Sequence, residues 1–422
     1  MKIKSKFINR VLVLLTGNTV AQLIIFASSP ILTRIYRPED FGVFSVYTSL
    51  LTILLSFSSL CLEKAIPLEE NNKNTFHLIM ISLFMITVCC TINIIFSFFH
   101  LSLFQLYGIE STLVNASLLS CGLFFAGIYQ VMNYWLVKEE KFKGITHSKL
   151  VQSISNVGSQ FSLAPINHYT PGIGLVVGDV IGRAVSLAFI WKFYLKQIDF
   201  PKFSMRRARF LFYKYKRFAQ YSTWSTLLSA LSMQMIFLLL MRLYGSEATG
   251  YFSMAFKTIG LPITLVGASI SQVFYSEVAQ RISDEPAKVM KLYKRIIMRI
   301  AMFGIPSIAI LSFTAPDLFR FVFGEEWLVS GEYVRLMSFM FLAQVNIIPV
   351  SQILYLIGKQ RTQLLWDLLR LVLTSSGVLL IFMLGGTANT AILTFSICMG
   401  TSYYVLALLG YLAIKSIERR RD

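Results

Sequence analysis

One pattern of fourteen residues occurs twice in this chain. Residues 32–45 read LTRIYRPEDFGVFS and residues 240–253 read LMRLYGSEATGYFS, an offset of 208 in a chain of 422. The shared skeleton, L-x-R-x-Y-x-x-E-x-x-G-x-F-S, matches Arg34 with Arg242, Tyr36 with Tyr244, Glu39 with Glu247, Gly42 with Gly250 and Ser45 with Ser253. Each copy ends one long apolar run and starts another. A chain written this way folds as two like halves. In membrane proteins such halves commonly flank the path of something carried.

The runs themselves set the class. Twelve are recognisable, at roughly 11–33, 42–62, 76–99, 112–137, 146–166, 172–191, 219–241, 252–275, 300–316, 334–357, 364–384 and 390–414. A helix needs about 20 apolar residues to cross the hydrocarbon core, and these runs are too long and too little alternating for barrel strands. Hydrophobic residues are 55% of the chain and charged residues 14%, against about 25% charged in a soluble domain. The expected fold is therefore an all-α membrane protein. It has 12 transmembrane helices in two parallel-repeat six-helix lobes, with both termini cytoplasmic. The lobes are read as 1–200 and 219–422, joined by a basic cytoplasmic linker, 201–218. Six crossings separate the two copies of the pattern, so they share an orientation, and a central cavity between the lobes is expected.

The net charge of +18 does not mark a nucleic-acid binder. With a cytoplasmic N-terminus, most Lys and Arg fall inside, while the outside segments hold Arg34, Arg37, Arg242 and Arg320 against eight acids. That is the positive-inside bias of membrane insertion. The first run is too long for the core of a signal peptide and no convincing cleavage site follows, so it is read as a retained helix. Cys61, Cys89, Cys90, Cys121 and Cys398 lie in or beside apolar runs with no metal or disulfide spacing, and are read as packing residues. Residues 196–218, KQIDFPKFSMRRARFLFYKYKRF, interleave cations with aromatics. The segment suits either a simple topological anchor or a surface at the inner leaflet. The outside loop at about 317–333 is expected to be broken at Gly324 and Gly331. No phosphate-loop or dinucleotide fingerprint is present, so neither an ATPase nor a cofactor is expected.

Several stretches carry a family resemblance. ILTRIYRPEDFGVFSVYTSLLTILLSF at 31–57, LCLEKAIPL at 60–68, GYFSMAFKTIGLPITLVGASISQVFYSE at 250–277 and FGEEWLVSGEYVRLMS at 323–338 resemble the polysaccharide transporter family, which includes the Wzx-type O-antigen flippases. The resemblance spans both halves. It implies membership of the MOP superfamily with MATE exporters and lipid II flippases, and hence a MATE-like fold of two lobes around an alternating cavity. It also implies the cargo, an oligosaccharide repeat unit on undecaprenyl pyrophosphate, moved to the outer leaflet of the bacterial inner membrane. The partners implied are that lipid-linked oligosaccharide, membrane lipid, a coupling H+ or Na+, and a polysaccharide polymerase with chain-length machinery.

Such cargo needs polar groups inside the membrane, because unpaired polar atoms cost several kcal/mol each in hydrocarbon. Arg183 sits mid-run with Asp179 four residues before it on the same helix face. It reads as a cavity cation for an anionic group or as half of a structural pair. Gly174, Gly178 and Gly182 on that helix allow close packing. Arg370, with Asp367 three residues earlier, reads as a second such pair or as a snorkelling side chain. Lys257 reads as an outer-side anion contact or another snorkelling side chain. Asn18 and Gln22, then Gln130 and Asn133, are further cavity candidates, with interhelical hydrogen bonds as the plainer reading. Gln272, Gln344 and Asn346 are noted on the same ground. Glu63, beside Lys64, matches the family's LxxE-x-AI stretch and is read as a coupling or gating carboxylate or as a loop salt bridge. Asp179 and Asp367 are coupling candidates. Arg34 with Glu39, and Arg242 with Glu247, are read as outside charge-pair clamps, with a gating role second. No catalytic residue or metal ligand is expected; His77, His100, His147 and His168 are scattered.

Competing classes are weaker. A MATE-type small-molecule antiporter shares the fold, but the first run lacks an acid. A major-facilitator transporter would carry G-x-x-x-D-R/K between helices two and three. A polymerase or ligase would carry a large outside loop. A lipid II flippase would have fourteen helices.

Overall fold

The computed structural model describes residues 2–98, 113–168, 170–195, 202–282 and 285–419, with side chains described from Gly17 onward except at residues 113, 168 and 195. Among these the chain is helical almost throughout. Helices α1 (Lys2–Leu32), α2 (Pro38–Ser58), α3 (Asn72–Phe98), α4 (Leu113–Lys138), α5 (Phe142–Ser162), α6 (Ile173–Ile190) and the short α7 (Met205–Lys214) come first. They are followed by α8 (Thr223–Arg281), α9 (Pro286–Phe323), α10 (Leu328–Leu336), α11 (Ser338–Ile347), α12 (Ile353–Leu356), α13 (Gln360–Met383) and α14 (Ala388–Glu418). Two compact units result, Met1–Ala230 and Leu231–Asp422. The boundary falls inside α8, later than the lobe boundaries read from sequence.

Among the described residues, the apolar runs fall on helical segments. Nine helices among the described residues are long and apolar enough to cross a membrane, so the chain is a multi-pass membrane protein. One of the nine, Phe218–Arg281, is two helices end to end. Gly245 breaks it with φ +88° and ψ −179°, a conformation a side chain would resist. Two runs are not among the nine. Of the first, the stretch whose side chains are described is Gly17–Leu32, and α5 is rich in Ser, Gln and Asn. The tenth run is not one rod, because Pro349 lies in a 3-10 turn, Ile348–Val350, between α11 and α12.

Small residues bring the helices together. On α6, a Cβ at Gly178 would stand 3.0 Å from the Gln160 backbone nitrogen, and one at Gly182 would stand 3.0 Å from the Asn156 backbone nitrogen. The glycine series therefore seats α6 directly on α5. At Gly331 a Cβ would lie 2.4 Å from the Pro316 Cα. Gly331 is thus a helix-packing position within α10 rather than the break expected there. Gly324 does break the chain, at φ +112°. The core of the second unit is aromatic, with Phe252 edge-on to Phe237 at 5.3 Å and to Phe395 at 5.7 Å.

The repeated pattern is tied down by its tyrosines. Tyr36 Oη donates to the Gln160 carbonyl at 2.6 Å, near the turn from α5 into α6. Tyr244 Oη donates to the Gly386 carbonyl at 3.2 Å, in the turn from α13 into α14. Ser45 and Ser253 are both buried and donate to carbonyls of their own helix. The expected charge clamps do not form. Arg34 and Arg242 are exposed, Glu39 Oε2 is buried without a partner, and Glu247 accepts from Tyr251 at 3.1 Å instead. The acid that matters in the first copy is Asp40. It accepts from the Arg37 amide at 2.8 Å, half of a capping box on α2, and from the Gly172 amide at 2.8 Å.

Candidate functional site

Three polar clusters lie inside the units. The first centres on α6. Arg183 Nε donates to Asp179 Oδ2 at 2.7 Å. Asp179 also accepts from Tyr47 Oη at 3.3 Å and from Asn156 Nδ2 at 3.4 Å. The carboxylate is nearly sealed, at 6% side-chain exposure, while the Arg183 side chain is 20% exposed. Its two terminal nitrogens make no hydrogen bond to the described residues. Asp179 thus orients the guanidinium by its inner edge and leaves the outer fork, the bidentate part, unspent. Buried acceptor atoms without partners, Asn133 Oδ1 and Asn156 Oδ1, occur in the same unit. So do Asn18 Oδ1 and Ser186 Oγ, whereas Gln22 is exposed.

The second cluster joins two candidates that sequence spacing did not connect. Glu63 is fully buried in the 3-10 segment Leu62–Leu68. It accepts from Ser59 Oγ at 2.5 Å and from Gln130 Nε2, on α4, at 2.8 Å. Its neighbour Lys64 turns away to Thr226 Oγ1 at 3.1 Å. Glu63 is therefore not in the loop salt bridge considered from sequence; both partners are neutral.

The third cluster is in the second unit. Arg370 and Asp367 are 3% and 6% exposed at their side chains and 2.8 Å apart. Arg370 Nε donates to Ser232 Oγ at 3.1 Å, and its guanidinium lies 4.4 Å from the Trp366 ring centroid. The Trp366 ring is pinned in turn by its Nε1 donating to the Ser402 carbonyl at 2.6 Å. The snorkelling expected of Arg370 does not occur, because the interior supplies its partners. Asn346 Oδ1 and Gln363 Oε1 are buried in the same unit without partners. Lys257 is exposed. Arg335 ends α10, exposed and 6.0 Å from the Phe313 ring. His100 and part of the basic linker, 196–201, lie outside the described residues.

Sequence reasoning found the charges in these clusters and missed their holders: Tyr47, Asn156, Ser232, Trp366 and Ser59. An aromatic or hydroxyl in an apolar run carries no local signal of its partner.

The linker is a docked element. Glu69, 5% exposed at its side chain, accepts from Lys214 Nζ, from Tyr215 Oη at 2.6 Å and from Asn74 Nδ2 at 3.0 Å. Burial pushes its pKa up, but these hydrogen bonds and the Lys214 charge outweigh it and hold the carboxyl below its usual value. His77 Nε2 accepts from the Ser204 amide at 3.0 Å and stacks on Phe203 at 5.4 Å. Ala208 and Leu211 of α7 are buried, while Arg206, Arg207, Arg209 and Phe210 face outward.

Known proteins resemble this chain in sequence over part of its length and in fold over most of it. The model of a family described as "Polysaccharide biosynthesis protein" matches residues 31–332. The chain belongs to that family. A curated relative is the teichuronic acid biosynthesis protein TuaB of Bacillus subtilis (strain 168), 21% identical over 282 residues, covering 65% of this chain and 54% of TuaB. The matched part thus spans about half the length of that relative. Among solved structures, an inward-facing multidrug resistance MATE family transporter of the MOP superfamily aligns with TM-score 0.71 at 18% identity, covering 94% of this chain and 96% of that one. The lipid II flippase MurJ, in its inward closed conformation, aligns with TM-score 0.69 at 12% identity, covering 96% and 86%. The fold is therefore that shared by MATE transporters and MurJ.

Proposed function

We propose that this protein is a flippase for undecaprenyl-pyrophosphate-linked oligosaccharide repeat units. It carries them from the inner to the outer leaflet of a bacterial inner membrane by alternating access. O-antigen or a related surface polysaccharide is the product served, and twelve crossings with both termini cytoplasmic are the topology it uses. Family membership, the MurJ-like fold and the name of the teichuronic acid relative all support a lipid-linked glycan as cargo.

The observation that carries the reading is the posture of Arg183. A guanidinium in an apolar helix costs on the order of 3 kcal/mol to insert. Here one edge is paired and the fork is left open. A purely structural pair closes on itself, as Arg370 does. An open, oriented fork fits a pyrophosphate or an acidic sugar, and Gln130 and Asn133 are kept as cavity candidates. Arg370 with Asp367 is assigned to holding its lobe together. Lys257, Gln22 and Asn18 remain cavity candidates, and Arg34 and Arg242 gate candidates. Glu63 and Asp179 are the acids proposed to couple transport to H+ or Na+. A polymerase with its chain-length machinery would receive the flipped unit.

The alternative is a MATE-type small-molecule antiporter, favoured by the overlap with the multidrug transporter fold. Deletion of the gene, followed by extraction of lipid-linked units and staining of surface polysaccharide, decides. Lipid-linked units that accumulate while surface polymer is lost, both restored by the intact gene, are expected. Unchanged pools and an intact polymer in a strain without a redundant flippase would favour the antiporter.

A further inference from the structure

The second unit carries a groove that no polar cluster above uses. It has a volume of about 650 Å³, within the range of about 300–1,000 Å³ usual for small-ligand sites. Its walls are the limb of α8 after Gly245 and the helix α9, and α11 with Pro349 closes its floor. Sequence explains the opening. Pro262 and Pro306 each remove a helical hydrogen bond and crowd the preceding turn. Gly267 and Gly304 let both walls sit directly on the floor. A Cβ at Gly267 would meet Ile348 at 2.7 Å, and one at Gly304 would meet Val345 at 3.1 Å. Val266 and Phe303, on the two walls, are 61% and 69% exposed.

The lining is branched and aliphatic, with Ile259, Ile263, Ile270 and Ile300 among it, and one charge, Arg299, belongs to it. Arg299 is the last of a series of cations on α9, after Lys288, Lys291, Lys294 and Arg295, before the apolar stretch begins. Among the described residues, the ion pairs of this unit use Arg281, Lys288, Arg320 and Arg370, and none takes Arg299. The first unit offers a control. Its groove between α2 and α3, of about 510 Å³, stands at the equivalent place in the repeat but is lined by no charged residue.

A groove facing lipid is always filled with hydrocarbon, and hydrocarbon against hydrocarbon gains little beyond packing. Selection must therefore come from shape and from the lone lining cation. A methyl-branched chain with a phosphate at one end matches both. We infer that this groove holds the isoprenoid tail of a phosphorylated polyprenyl lipid, with the phosphate at Arg299. This rests on the proposed cargo; it leaves the open fork of Arg183 to an acidic sugar and adds where the tail and its phosphate are seated while the glycan crosses.

The test uses the full chain in phosphatidylcholine nanodiscs with tritiated undecaprenyl phosphate as probe. Arg299→Gln should weaken binding about tenfold, the scale of one charge-assisted hydrogen bond to a phosphate. Ser307→Trp, which fills the exposed mouth without touching the core, should weaken it at least as much. Unphosphorylated undecaprenol should bind more weakly and be indifferent to Arg299→Gln. Inorganic phosphate should not compete. Equal competition by phosphatidylglycerol would overturn the assignment in favour of an anionic phospholipid. Unchanged binding in both variants, with normal thermal stability, would also overturn it. The gene-deletion assay is independent. Accumulated lipid-linked units together with groove variants that bind normally would sink the groove alone. Unchanged lipid pools with a groove that binds would sink the cargo reading alone.

Discussion

Tyr36 and Tyr244 occupy the same place in the repeated pattern and make the same bond in their own units. Each donates its hydroxyl to a backbone carbonyl at or near the turn between the last two helices of its repeat, at 2.6 Å for Tyr36 and 3.2 Å for Tyr244. The repetition is thus a latch copied along with the helices. The exposed arginines of the pattern, Arg34 and Arg242, share a position without sharing a bond.

Tyr36→Phe should cost about 1 kcal/mol, the usual net value of a buried hydrogen bond. Tyr244→Phe should cost less, because Tyr36 is 1% exposed while Tyr244 is only partly covered and its bond is longer. Thermal unfolding of the purified variants in detergent checks both. Equal or reversed costs would show that the latch is not what keeps the pattern.

Arg183→Ala should abolish or strongly reduce transport. It also strands Asp179, and a buried unpaired charge costs roughly 3–5 kcal/mol. The informative variant is therefore the double substitution Asp179→Asn with Arg183→Gln, which should restore membrane levels but not transport. Complementation of the deletion strain, read beside immunoblots, measures it. Full transport by the double variant would remove Arg183 from the mechanism.

Arg370 should behave differently. Arg370→Ala leaves Asp367 buried and alone, so protein levels should collapse by the same rough 3–5 kcal/mol argument. Arg370→Met with Asp367→Leu should recover the fold, and with it most transport. Recovery of fold without transport would mean that the pair does more than hold its lobe.

Docking of α7 should depend on pH through Glu69. Its carboxyl is held below the ordinary value of 4.5 in the folded protein. The stabilisation is therefore complete above that value and is lost as pH falls through the lower folded one. Limited proteolysis near residues 202–217 should be slow at pH 7 and should speed up progressively as pH is lowered below 4.5. Glu69→Gln should be fast throughout. Proteolysis of Glu69→Gln as slow as wild type at pH 7 would show that other contacts, such as His77 with Ser204, hold the helix.

Much of this was legible in advance. The long apolar runs announced helices because a backbone in hydrocarbon must bond to itself. The spacing of Asp179 and Arg183, and of Asp367 and Arg370, announced pairs because neighbours three or four apart share a helix face. Glu39 and Arg34 look equally paired on paper, yet they straddle the turn before α2, where helical spacing does not apply. Gly331 looks like a breaker, but it is a small residue inside a helix that touches another backbone.

The chain by itself determined that it would be a helical membrane protein written twice, because hydropathy and repetition are local properties carried by each residue. The tertiary structure decided which buried charge stays open and which closes. Arg183 and Arg370 look alike in sequence, each an arginine with an aspartate one turn before it. One finds only its aspartate. The other finds Ser232, 138 residues away, and the face of Trp366. Partners that distant are chosen by packing, and no local pattern encodes them.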